Sequence, residues 1–170
     1  MTKSDKSAGD QVAVEKSILG PAGKDLGTSE WITVNQDMIT RFGDVTLDPD
    51  PMHMDAEWAK ENTPYGDTIS YGFLTLSFLT HMFASAMKVP SASEGAGEGY
   101  FLNYGFNRLR FVDPVPVNSR VRGHFKVAKK EAEERSGFRL VHMDVEIEIE
   151  GGGRPAVVAE WIGAWVNDLG

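Results

Sequence analysis

Cysteine is absent from the 170 residues, which removes disulfides, thiolate nucleophiles and zinc–cysteine sites and suits a reducing cytoplasm. Positive charge is scarce. Seventeen Lys and Arg against 25 Asp and Glu leave a net charge of −8 and a pI near 5.0. Binding to nucleic acid needs a basic face to neutralise phosphates, so that class is set aside. An unbroken apolar run is missing too. The longest, Ile69 to Met87, is interrupted by Ser70, Thr75, Ser77, Thr80, His81 and Ser85, which reads as a buried helix rather than a membrane span. Met1 to Ser7 is polar and lacks the apolar segment of a signal peptide. The four histidines show no spacing typical of a metal site.

What is present belongs to an ordinary globular chain, with 41% apolar and 25% charged residues. The length suits one well-cored domain, taken here as residues 26–170 behind a flexible polar segment, residues 1–25. Thr33 to Phe42 places Met38, Ile39 and Phe42 on one helical face, with Thr33 or Asn35 as the cap. A second short helix is expected from Asp55 to Asn62. Between them, Asp48-Pro49-Asp50-Pro51-Met52-His53-Met54-Asp55 carries two prolines that stop a continuing helix and push Asp48 and Asp50 toward extended backbone.

From Gly72 to Met87 the sequence is apolar almost all round, so that helix must be enclosed, with His81 as a satisfied core histidine. Ser91 to Gly99 is a Ser/Gly-rich loop or lid. The C-terminal half then changes period. Val141, Met143, Val145, Ile147 and Ile149 alternate with His142, Asp144, Glu146, Glu148 and Glu150, and Val121, Phe125 and Val127 with Arg120, Arg122, His124 and Lys126. Period two means one buried and one wet strand face, and this pattern puts His124 and His142 on wet faces. Ala156 to Val166 is apolar on both faces, so it is central or covered by another subunit. Helices followed by long antiparallel strands argue an α+β fold, most simply one enclosed helix wrapped by a curved antiparallel sheet.

Three ordered blocks carry a resemblance. Phe42 to Asp55, Ile69 to Ser77 with its Gly72, and Asn103 to Phe111 followed by Pro114 to Val117 are similar to the MaoC-like acyl dehydratases, in the subgroup related to nodulation protein N. The likeness spans residues 26–166 and implies a hot-dog fold, a homodimer or higher homo-oligomer, and (R)-specific hydration of a 2-enoyl thioester of coenzyme A or acyl carrier protein. A hot-dog thioesterase and a non-catalytic acyl-binding subunit are the alternatives. Two positions depart from the pattern. Asp50 stands where relatives usually carry Asn or Gln, and Tyr71 where many carry His. The departures imply a pocket tuned differently, or a substrate other than a plain straight-chain enoyl group.

Adding water across the double bond needs a base for the water, a proton for C2, and donors for charge on the thioester oxygen. No metal or organic cofactor is needed. Asp48 and His53 are the expected acid–base pair, with Asp48 as base and His53 as its proton-carrying partner, or the two roles exchanged. The resemblance implies the Gly72 N–H at a helix start as oxyanion donor, and Thr80 as a hydroxyl bonding Asp48. Tyr71, Asp50 and Asn103 complete the expected substrate-binding set. Taken singly, each has an ordinary alternative: His53 a surface or cap residue, Asp48 a turn former, Asp50 and Asp55 caps, Gly72 a packing glycine. Arg108 and Arg110 could meet coenzyme A phosphates or form strand-end ion pairs.

Overall fold

The computed structural model describes residues 18, 20–91, 100–128 and 133–166. The expected lid and most of the expected N-terminal segment lie outside them. Two short strands, β1 (Asp25–Thr28) and β2 (Ile32–Thr33), precede three helices: α1 (Gln36–Thr46), α2 (Pro51–Met54) and α3 (Ala56–Asn62). Helices α4 (Gly72–Ser77) and α5 (Leu79–Met87) follow, then strands β3 (Tyr100–Phe111), β4 (Arg120–Val127), β5 (Glu133–Arg135), β6 (Phe138–Ile149) and β7 (Val157–Val166). The sheet is antiparallel in the order β1-β4-β6-β7-β3, with β2 added to β4 and β5 to β6. It curls around α5 in the α+β hot-dog arrangement.

Local chemistry accounts for the helix ends. The Asn35 side chain accepts the Met38 N–H at 3.0 Å and starts α1. This helix runs four residues past Phe42, through Gly43, to a left-handed Leu47. Pro51 does not merely interrupt the chain but opens α2, because the first helical position needs no N–H. Asp55 caps α3 through the Trp58 N–H.

The central helix is nearly continuous, broken only at Phe78. Its inner stripe, Leu74, Leu79, Met82 and Phe83, is buried against the sheet. Phe83 stands edge-on to Trp161 at 5.5 Å and to Phe125 at 5.4 Å, while Phe101 meets Trp161 at 5.2 Å. Burial of each of these rings contributes about 2–3 kcal/mol. The helix is not enclosed all round, however: Phe73 and His81 are exposed. His81 is therefore no core histidine, since it lies on the stripe the sheet leaves open.

Strand β7 lies between β6 and β3, so the doubly apolar strand is central rather than an edge. Ile18, inside the expected N-terminal segment, is packed in the core, and Gly23 and Lys24 already bond to Val127.

The outer sheet face is not uniformly wet. Leu140, Ile162 and Ala164 form a small cluster there, and His142 is buried beside them with its Nδ1 at 2.8 Å from Glu160. The expected wet position of His142 is thus overturned. His124 is half-buried, bonded to Thr28 and Glu148.

Candidate active site

The segment after α1 and the start of α4 meet at one cavity of about 320 Å³, within the range of small-molecule sites. His53, Gly72, Phe73, Phe111, Val115 and Val157 are among its walls, so it is mostly apolar with a few polar groups. A larger groove, about 520 Å³, lies on the outer sheet face between Asp25, His124, Lys126 and Glu146. Apart from Val145, polar and charged residues line that groove.

His53 is held by α2. Its Nδ1 is 2.8 Å from the Ile69 carbonyl oxygen. A carbonyl only accepts, so Nδ1 carries the proton and the neutral ring presents Nε2 as a lone pair. Gln36 braces the same turn, donating to the His53 carbonyl at 2.9 Å and accepting from the Thr68 hydroxyl at 2.6 Å. Gln36 was not singled out from sequence; its only signal there was a polar residue at the start of α1.

Gly72 is the first residue of α4, and no side chain caps this helix. The N–H groups of Gly72, Phe73 and Leu74 make no hydrogen bond among the described residues, as the first turn of a helix leaves them. A Cβ on Gly72 would stand 3.0 Å from the Phe111 ring, so its absence brings the backbone close to the cavity wall.

Tyr71 is buried, with its ring centroid 3.8 Å from that of His53 and 5.4 Å from that of Phe42. Its hydroxyl donates to the backbone carbonyl of Asp48. Burial, and then the Asp48, Asp50 and Asp44 carboxylates, push the phenol above its ordinary value near 10.

The remaining expected residues divide. Asp48 is exposed; its carboxylate makes no hydrogen bond among the described residues and does not line the cavity. Asp50 accepts the Met52 N–H at 2.9 Å and caps α2. Thr80 and Asn103 lie elsewhere: they pair with each other at 3.5 Å, and Asn103 also accepts from Trp161 at 3.1 Å. Thr80 is eight residues beyond Gly72, about 12 Å along a helix axis at about 1.5 Å per residue. Arg108 binds Glu160 at 2.5 Å, an ion pair rather than a phosphate site. Among the described residues no group of His, Asp and Glu could hold a metal.

An enclosing curved sheet, a lone-pair nitrogen and unbonded helix N–H groups around one apolar cavity define a class of acyl-processing hot-dog proteins. The chain belongs to the MaoC-like family: the model of the MaoC like domain matches residues 17–150. It is 44% identical over 142 residues to nodulation protein N of Rhizobium leguminosarum bv. viciae, covering 82% of this chain and 83% of that one. It is 36% identical over 149 residues to 3-hydroxyacyl-thioester dehydratase Z of Mycobacterium tuberculosis, covering 88% and 93%. Its fold matches the unliganded R-hydratase PhaJ1 from Pseudomonas aeruginosa with a TM-score of 0.64 at 19% identity, covering 85% of this chain and 81% of that one.

Proposed function

We propose that the protein is an (R)-specific hydratase/dehydratase that interconverts a 2-enoyl thioester and its 3-hydroxyacyl thioester, with Asp48 and His53 as its acid–base pair. The observation that carries the reading is His53 at the cavity, its Nδ1–H fixed on Ile69 and its Nε2 without a hydrogen bond among the described residues, with Gly72 in the same cavity wall. In the hydration direction, one member of the pair takes a proton from water as the oxygen bonds to C3: His53 already lines the cavity, whereas the exposed Asp48 carboxylate has to turn toward it to serve as the base. The charge that moves onto the thioester oxygen is held by the Gly72 N–H and the partial positive charge of the helix start. A proton then reaches C2 from the pair, which ends with as many protons as it began. Dehydration runs the same steps backward. The dehydratase named among the relatives supports the choice of chemistry.

The substrate is proposed to be a thioester of coenzyme A or acyl carrier protein, handled in the cytoplasm by a homodimer joined along the open edge of β3. Tyr104, Leu102 and Phe106 on that strand are 60%, 49% and 36% exposed.

Ultraviolet absorbance at the conjugated enoyl-thioester band tests the reaction, with crotonyl-CoA and longer or cyclic enoyl-CoAs. Wild type should remove the band, and His53→Ala should do so about 100-fold more slowly or worse. Thiol release from saturated acyl-CoA without hydration would replace this reading by a thioesterase. Ligand binding with no turnover of any thioester would leave a binding subunit.

A further inference from the structure

We infer that Tyr71 is a positioning residue, one side chain that holds both members of the acid–base pair: His53 by the face of its ring and Asp48 by its hydroxyl. The inference rests on the reading of Asp48 and His53 as that pair.

A single hydrogen bond from Nδ1 to Ile69 fixes one edge of the imidazole but leaves the ring able to swing about that bond. The Tyr71 ring removes this freedom, lying against the imidazole at 3.8 Å between centroids with 37° between planes. Asp48 faces a similar problem. It follows a left-handed Leu47 (φ 59°) and precedes Pro49, on a stretch with no regular ladder. Its N–H bonds to the Gly43 carbonyl at 3.0 Å, and its own carbonyl accepts the Tyr71 hydroxyl. The peptide groups on both sides of the Asp48 Cα are therefore fixed.

Gly43 makes this arrangement possible. A Cβ there would stand 2.5 Å from the Tyr71 hydroxyl oxygen, 2.8 Å from the Met54 sulfur and 3.0 Å from the Asp48 carbonyl oxygen. The space the hydroxyl occupies exists because α1 carries a glycine at its inner face. Because burial and three nearby carboxylates keep the phenol protonated, it remains a donor across any working pH. Tyr71 does not itself line the cavity. Its influence on the reaction passes through the two residues it touches.

Tyr71→Phe keeps the ring and removes the tie to Asp48; Tyr71→Leu removes both. With wild type active on an enoyl-CoA, kcat should fall about tenfold in Tyr71→Phe and about 100-fold in Tyr71→Leu, with KM within about threefold of wild type. In an Asp48→Asn background, Tyr71→Phe should cost little further, because the residue it positions is already disabled. Both variants must keep the wild-type fold by circular dichroism. Unchanged kcat in folded Tyr71→Leu, or full additivity of Tyr71→Phe with Asp48→Asn, would overturn the inference.

A readout without substrate separates this from the function itself. The His53 Cε1 proton should resonate upfield through the Tyr71 ring current, keep that shift in Tyr71→Phe, and lose it in Tyr71→Leu. If wild type hydrates nothing, the pair is misread. A His53 resonance unmoved by Tyr71→Leu would then overturn the positioning role as well.

Discussion

The Asp50 carboxylate accepts the Met52 N–H at 2.9 Å, at the N-cap of the one-turn helix that carries His53. An amide oxygen caps a helix about as well as a carboxylate. Asp50→Asn should therefore leave stability within a few tenths of a kcal/mol and turnover near wild type. Asp50→Ala should cost about 1 kcal/mol and lower turnover, since the turn that sets His53 loosens. Urea denaturation beside the enoyl-CoA assay checks both. Turnover lost as fully in Asn as in Ala would give the charge of Asp50 a direct part in the reaction. The reading of Asp50 and Asp55 as caps was legible in the sequence, and both accept a helix N–H. His142 marks a limit: alternation tells which face a side chain occupies, not whether that face is covered.

At the scale of elements, β4 and β6 carry a ladder of opposite charges on their outer faces, with Arg122 opposite Glu148, His124 opposite Glu146 and Lys126 opposite Asp144. Glu148 accepts from Arg122 at 2.6 Å and His124 at 2.7 Å, and the Arg122 guanidinium lies 4.3 Å from the Trp31 ring. The Arg122 bond, then that of His124, hold the Glu148 carboxyl below its ordinary value near 4.5. A carboxylate depressed in the folded state stabilises the fold above its unfolded pKa, and that contribution fades as pH drops through the folded value. Thermal midpoints of wild type and Glu148→Gln should hence differ at neutral pH and converge as the medium is acidified below the carboxylate range. High salt should shrink the difference too. A gap that stays constant into acid would assign it to packing instead.

These strands were legible because eight to twelve residues of period two outweigh local noise, and the central helix because it is apolar almost all round. The two-residue β2 and four-residue β1 are too short for any period to register. Thr80 pairs with Asn103 in this structure rather than with Asp48. Its place on the helix was right, but sequence spacing alone does not say how far the Asp48 segment reaches along that helix.

For the molecule as a whole, the order β1-β4-β6-β7-β3 leaves β3 as one outer strand, twelve residues long. A long edge presents unpaired N–H and C=O groups and invites another strand. Lysine is a usual defence, and β3 has none; it presents Leu102, Tyr104 and Phe106 to solvent instead. Its register is irregular between Asn103 and Gly105 and again between Asn107 and Arg110, where Arg108 is left-handed at φ 52°. Leu102 and Tyr104, the two more exposed of those three side chains, are the residues to charge. In light scattering at micromolar concentration, wild type should show twice the 18.7 kDa of one chain, and Leu102→Lys/Tyr104→Lys the mass of one. A double variant that stays dimeric would move the interface off this edge. Phe111 ends the same strand and lines the cavity, whereas His53 and Gly72 sit on other elements. Separation of the subunits should consequently alter KM and chain-length preference more than kcat. The opposite pattern, kcat lost with KM intact, would mean that the partner subunit supplies something the chemistry itself requires.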